Sequence, residues 1–250
     1  MTAICPSRRR ADDAGTAADA VTSAASPAAA SSTGPLDPPA ASIRTAVTVP
    51  LRFPDGYATT GRVMTFEGLT DGREHLAIGL GDWEGALART AAGGEGPLVR
   101  PHSECLTGDV LGSERCDCGP QLREAVERIA AAGGLLLYLR QEGRGIGLYA
   151  KLDAYALQDA GLDTYEANVA LGHGEDERDY APAAQMLRAV GADRIRLLSN
   201  NPDKAAQLEL LGVDVDARVS TGVHLTDANA RYLAAKVDRT DHTLALPGLA

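Results

Sequence analysis

Cys105, Cys116 and Cys118 crowd into one short stretch, as Glu104-Cys-Leu-Thr-Gly-Asp and then Arg115-Cys-Asp-Cys-Gly. Cys116 and Cys118 flank a single residue, too tight for an unstrained bridge to each other. The spacing suits two thiolates converging on one ion, with Cys105 closing from the preceding loop. Three protein ligands leave one tetrahedral position for a water whose pKa falls to about 7, which is the arrangement of a catalytic zinc. A structural site completed by a fourth ligand, His102 or a more distant histidine, has the same spacing.

Other segments carry further chemistry. His102-Ser-Glu104 imitates the His-x-Glu of zinc nucleobase deaminases, but those enzymes have Cys-x-x-Cys where this chain has Cys-x-Cys. Gly143, Gly145 and Gly147 around Arg144 follow a buried run, as in a backbone-donor loop for anions, and equally as in an ordinary turn. Asn200 ends a strand pattern, Pro202 suits the first helical position and Lys204 lies in the first turn, so helix dipole and ammonium coincide. A simple cap with a solvated lysine reads the same way. Arg178 sits in the acidic run Glu175-Asp-Glu-Arg-Asp179, where a guanidinium would ordinarily clamp a phosphate.

These residues need a scaffold. From Thr45 to about Leu80, short β-branched runs are broken by Asp55-Gly56 and Asp71-Gly72, so an antiparallel β region comes first. Then the period changes. Leu122, Val126 and Ile129 share one stripe of a helix over 120–132, Leu135 to Leu139 reads as a buried strand, and Tyr155 falls on a helix beginning near Ala150. A further helix carries Tyr180, Ala184, Leu187 and Val190, followed by a strand over 195–198, a helix over 202–211 and a strand near 213–215. The expected fold class is α/β in the mixed α+β sense: an N-terminal antiparallel β region, then alternating helices and strands, with a zinc site.

The 250 residues hold 24 Lys and Arg against 34 Asp and Glu, a formal charge of −10, which excludes a sequence-independent grip on nucleic acid as the main activity. Residues 1–50 contain no Phe, Tyr or Trp, and Arg8, Arg9, Arg10 and Arg44 balance Asp12, Asp13, Asp19 and Asp37. The whole negative balance therefore falls on residues 51–250. Rich in Ala, Ser, Thr, Gly and Pro, and holding Cys5, the first stretch cannot bury enough apolar area to offset its ordering entropy. The expected organisation is a disordered tail over 1–44, a catalytic domain over 45–240 and a C-terminal tail over 241–250. Neither a secretory leader nor a run of about 20 apolar residues stands out. A cytoplasmic protein with no membrane and no nucleic acid partner is expected.

Arg100-Pro-His-Ser-Glu-Cys-Leu-Thr-Gly-Asp, Arg115-Cys-Asp-Cys-Gly-Pro-Gln-Leu, Arg140-Gln-Glu-Gly-Arg-Gly-Ile-Gly-Leu, Asp176-Glu-Arg-Asp179 and Asn200-Asn-Pro-Asp-Lys204 occur in that order. Together, from about Val47 to about residue 240, they resemble GTP cyclohydrolase II of riboflavin biosynthesis. The resemblance implies zinc-dependent hydrolysis of GTP that opens the imidazole ring and releases formate and pyrophosphate, giving 2,5-diamino-6-(5-phosphoribosylamino)pyrimidin-4(3H)-one. It implies one zinc per subunit on Cys105, Cys116 and Cys118, Mg²⁺ with the triphosphate, and a homodimer. GTP contacts would fall on Arg100, Pro101, His102, Ser103 and Glu104, on Gln121, on Glu142, Gly143 and Arg144, and on Thr164, Ser199 and Lys204. Asp176 matches a proton acceptor, Arg178 a nucleophile and Tyr155 a tyrosine near the zinc, placed to donate a proton as the ring opens. Glu104 and Glu142 are both carboxylates able to accept from the N1–H and amine of guanine, and sequence does not choose between them.

The bifunctional form of that family carries a dihydroxybutanone phosphate synthase domain in front, for which the first fifty residues leave no room, so a monofunctional chain is expected. Ser199 stands where the family has Thr, and Ala217-Arg-Val-Ser-Thr-Gly-Val-His224 lacks the proline-containing ending of riboflavin-pathway members. One alternative is thus a paralogue in a secondary pathway with a formamidopyrimidine product. The other is a non-catalytic zinc or nucleotide-binding regulator.

Overall fold

Strands β1 (Ser42–Arg52), β2 (Ala58–Glu67) and β3 (Leu76–Leu80) form an antiparallel meander in the computed structural model, which describes residues 38–226 and Asn229. The turns fall at the two expected dipeptides, where Gly56 and Gly72 hold φ of +90° and +63°, a region closed to most residues by the Cβ. β1 starts at Ser42, ahead of the boundary expected at Thr45, because Ser42 and Ile43 pair with Glu67 and Phe66. The expected tail up to residue 37 and the C-terminal tail over 241–250 lie outside the described residues.

The chain then runs through α1 (Trp83–Ala91), β4 (Leu98–Ser103), α2 (Cys118–Ala132), β5 (Gly134–Leu139), α3 (Leu148–Asp159), α4 (Thr164–Ala170), α5 (Ala181–Val190), β6 (Arg194–Leu198), α6 (Pro202–Leu210) and β7 (Asp214–Val219). The described strands make one seven-stranded sheet in the order β1-β2-β3-β5-β4-β6-β7. β3 meets β5 antiparallel, and β5, β4, β6 and β7 are parallel neighbours. The antiparallel β region followed by alternating helices and strands is the expected one. Leu135, Leu137 and Leu139 pack on one face of the sheet with Met64, Val99 and Leu187, while Leu136 packs on the other with Leu80, Val126 and Ile129. A strand buried on both faces reads as a continuous apolar run, which is how β5 appears in the sequence.

Strand β4 gives no such signal, because Pro101 interrupts it and proline argues against a central strand. Its position explains the tolerance. β6 registers with β4 only at Leu98 and Val99, and beyond that point the Pro101 carbonyl accepts the Lys204 ammonium at 3.0 Å. From β4 the chain places β5 on one side and later returns to place β6 on the other. The carboxyl end of β4 is therefore the switch point of the sheet, where open α/β sheets bind ligands.

Candidate active site

The parallel strands deliver their next residues to that crevice. Arg100, His102 and Ser103 come from β4, Gln141 and Glu142 follow β5, Ser199 and Asn200 follow β6, and Thr221 follows β7; all line one cavity. Every expected site residue lines it except Pro101 and Asp176. Pro101 backs the cavity through its bond with Lys204, and Asp176 through Arg144 and Arg178.

The three thiols line the cavity together. Cys105 Sγ lies 3.6 Å from Cys116 Sγ, and all three sulfurs fall within 4.8 Å of one another. A tetrahedral ion with Zn–S bonds of about 2.3 Å needs sulfurs roughly 3.7 Å apart, so this donor set fits zinc. Among the described residues no histidine or carboxylate joins the group. His102, the fourth ligand of the structural reading, turns its Nε2 to Asp109 at 3.1 Å instead. Burial holds that imidazole below the ordinary histidine value although Asp109 pulls the other way. Hydrogen bonds from Cys116 and Cys118, and then the Lys151 ammonium, push Cys105 far toward thiolate, whereas Cys116, donating to Cys105, is pushed up to about 11.

The loop between the ligands is wound as a π-helical turn over Leu106–Val110, a form common at functional sites. Asp109 holds it in place, accepting from the Cys105 N–H at 3.0 Å and the Tyr138 hydroxyl at 2.9 Å as well as bonding His102. Gly108 makes room for the sulfurs. A Cβ there would stand 2.8 Å from Cys116 Sγ and 3.1 Å from Cys105 Sγ, so Gly108→Ala is expected to lower zinc affinity at least tenfold with little change in GTP affinity. Chelator competition and equilibrium GTP binding on the same preparation check this.

The two carboxylates considered for guanine differ in environment. Glu142 is buried, its Oε1 taking the Lys151 ammonium at 2.7 Å and its Oε2 the Leu106 N–H at 2.7 Å. Glu104 is held from the outer side by Arg140 Nε at 2.8 Å, and Arg140 is half exposed. Glu104 is thus the carboxylate with more capacity left to accept from a base.

Cations line the same cavity. Arg100 is buried, bonded to the Leu198 carbonyl and to Gln121, and burial lowers its pKa from the ordinary arginine value despite Asp117 nearby. Asn201 caps α6 by accepting the Asp203 N–H at 2.9 Å, with Pro202 at the first helical position and buried Lys204 in the first turn, as the sequence reading expects. Ser199 Oγ accepts the Asn201 N–H at 3.1 Å, which leaves its own O–H to donate. Arg144 takes the left-handed φ of +62° between Gly143 and Gly145, a non-glycine conformation costing of order 1–3 kcal/mol that concentrates at functional sites. It stacks on Tyr165 with 4.5 Å to the ring centroid and reaches Asp176 at 3.4 Å. Arg178 forks onto Asp176, with Nε donating to Oδ1 at 2.8 Å and Nη2 to Oδ2. Burial opposes the Asp176 charge, but these bonds outweigh it and hold the carboxyl below its usual range.

Tyr155 lines it too, its hydroxyl 3.5 Å from Thr107 Oγ1 and its ring under the Arg115 guanidinium. Burial raises its pKa, so it carries its proton at neutral pH. Arg115, Gln141, Lys151 and Asn168 are among the lining residues absent from the sequence reading of the site. Gln141 and Asn168 are buried, and Gln141 Oε1 and Asn168 Nδ2 have no hydrogen-bond partner among the described residues, nor do Ser103 Oγ and Arg100 Nε. An unmade buried hydrogen bond costs about 1–3 kcal/mol, which a polar ligand in the cavity would recover. For Lys151 the available signal was its position four residues before Tyr155, on the same helix face.

Three thiols close enough to hold a metal ion share a cavity at the switch point of an α/β sheet with Arg100, Arg144, Arg178 and Lys204, which makes it a site where a metal ion and an anionic group could meet. The family model described as GTP cyclohydrolase II matches residues 46–220, and this chain belongs to that family of enzymes. A protein named GTP cyclohydrolase-2 from Vibrio cholerae is 50% identical over 184 residues, covering 74% of this chain and 89% of that one. Its namesake from Psychromonas ingrahamii is 47% identical over 186 residues, 74% of this chain and 90% of the relative. The riboflavin biosynthesis protein RibBA of Bacillus subtilis is 48% identical over 197 residues, which are 78% of this chain and 48% of that longer one.

Proposed function

We propose that this chain hydrolyses GTP with zinc at Cys105, Cys116 and Cys118, opening the imidazole ring and releasing formate and pyrophosphate to leave the diaminopyrimidinone, as a cytoplasmic homodimer. The observation that carries the reading is that the thiol trio and the cations Arg100, Arg144, Arg178 and Lys204 line the same cavity. A substrate that carries both a carbon to be attacked and a polyphosphate fits a cavity lined by both groups. Among the described residues no helix is long and apolar enough to cross a membrane.

When bound, the zinc supplies Lewis-acid activation of a water for attack on the imidazole carbon. The chain's own residues do the rest. Tyr155, protonated and beside the thiols, donates to the nitrogen released as the ring opens. Glu104, less committed than Glu142, accepts from the guanine N1–H and amine. Lys204, the α6 N-terminus and the Ser199 hydroxyl take phosphate oxygens, with Mg²⁺ neutralising the remainder. Arg178 meets the α-phosphate. In the covalent form of the proposal, its nitrogen bonds the α-phosphorus, pyrophosphate leaves with the electron pair of the broken P–O bond, and the guanidinium proton passes to Asp176.

The test is incubation with GTP and Mg²⁺ while formate, pyrophosphate and pyrimidinone absorbance are followed together. Stoichiometric release of both small products supports the reading. Pyrophosphate without formate points to an incomplete reaction with a formamidopyrimidine product, and binding without either product overturns catalysis.

A further inference from the structure

Lys151 enters α3 in its first turn, its N–H bonded to the Gly147 carbonyl, and its buried ammonium meets three acceptors. These are Glu142 Oε1 at 2.7 Å, Cys105 Sγ at 3.0 Å and Thr107 Oγ1 at 3.0 Å. An ammonium has three N–H donors, so all are committed and none is left for a substrate. The acceptors come from different segments: a thiol of the metal centre, the π-helical turn after it and the glycine loop after β5. Glu142 is held in turn by the Leu106 and Gly143 N–H groups at 2.7 and 3.1 Å, so the ion pair cannot swing away as a unit. Thr107 passes the arrangement on to the Tyr155 hydroxyl at 3.5 Å.

A buried cation persists only where partners compensate it, and here one partner is a thiol proposed to hold a metal. A hydrogen bond to a thiolate draws charge from the sulfur and weakens its donation to whatever ion it holds. Three thiolates carry one more charge than a divalent ion neutralises, and an ammonium on one of them offsets the excess.

We propose that Lys151 is a positioning residue of the metal centre: through Cys105 it tunes the thiolate donors, through Thr107 it sets Tyr155, and Glu142 serves chiefly to hold it there. The inference rests on the metal-dependent reading above, but its first measurement needs no turnover. The full-length chain is loaded with Co²⁺, and the sulfur-to-cobalt charge-transfer band is compared between wild type and Lys151→Met. A thiolate freed of its donor is the stronger ligand, so the band is expected to move to longer wavelength, and Lys151→Arg, which keeps charge and donors, is expected to restore it toward the wild-type position. With zinc bound, kcat for formate release is expected to fall about 10–100-fold while KM for GTP stays within about threefold. Because methionine leaves Glu142 buried without its cation, the double variant Lys151→Met/Glu142→Gln is measured alongside and is expected to show the same band shift.

An unmoved band in Lys151→Met or in Lys151→Met/Glu142→Gln overturns the proposal, as does a rise in KM without loss of kcat, which would make Lys151 a brace of the glycine loop alone. A shifted band in a chain that releases no formate leaves this inference standing while the proposed reaction fails.

Discussion

Cys116→Ser is expected to remove zinc from the protein and to lower formate release roughly a thousandfold or more, while GTP still binds. The sulfur is one corner of a trio whose members all lie within 4.8 Å, and the Cys105–Cys116 separation of 3.6 Å matches a shared ion. Serine removes a soft ligand, shortens the reach to the ion and offers a hydroxyl that does not ionise at neutral pH. Lewis-acid activation contributes several kcal/mol to the barrier, and each 1.36 kcal/mol is about tenfold in rate, which sets the size of the loss. Binding survives because Arg100, Arg144 and Lys204 are held by partners other than Cys116, namely the Leu198 carbonyl, Asp176 and the Pro101 carbonyl. Metal analysis, a formate assay and equilibrium dialysis with GTP on one preparation test all three parts. Full formate release from the serine variant would overturn the catalytic-metal reading.

Arg178→Lys is expected to lower kcat/KM for pyrophosphate release about 100-fold. A guanidinium presents a planar fork, and here Arg178 fills it with both oxygens of Asp176 while still lining the cavity. Lysine keeps the charge but cannot bridge Asp176 and a phosphate in one plane, and losing a charge-assisted bidentate contact costs about 1.5–3 kcal/mol. The same variant separates two uses of the arginine. If Arg178 carries a covalent nucleotide, radiolabelled GTP leaves trapped label on native protein and none on the lysine variant. If Arg178 is a clamp, neither protein traps label and only the rate falls. Equal label on both removes Arg178 from the nucleophile role altogether. The depressed Asp176 carboxyl keeps the fork ionised at neutral pH, which favours the clamp in the resting protein and requires Asp176 to take up a proton in the covalent case.

Much of the fold is legible in the chain because most of its elements carry a local period. The hairpin glycines, the stripe of Leu122, Val126 and Ile129, and the apolar run of β5 each announce their element. Strand β4 does not, although it is the strand on which the site is built, since Pro101 erases its signal and is tolerated only because pairing with β6 has ended by then. The seven residues of α4 are too few for a stripe to emerge, so Thr164 and Asn168 had no predicted element to carry them. The π-helical turn at Leu106–Val110 is likewise invisible, because it is held by Asp109 reaching His102 and Tyr138.

What the sequence determined by itself is the donor set: three thiols at fixed spacing, the glycine loop around Arg144, and Lys204 at the start of a helix. Among the thiols, only Cys116 and Cys118, two apart, stay neighbours in any fold; Cys105, eleven positions before Cys116, is brought to them by the loop between. Only the tertiary structure decided how the donors are shared out. Glu142 is spent on Lys151 and Leu106 while Glu104 keeps capacity, His102 turns to Asp109 instead of the thiols, and Lys151 reaches a sulfur 46 positions away. The physical reason is that a hydrogen bond is settled by which acceptor lies nearest in space. Here strand order and the crossings between strands place the acceptors, and no local pattern encodes them.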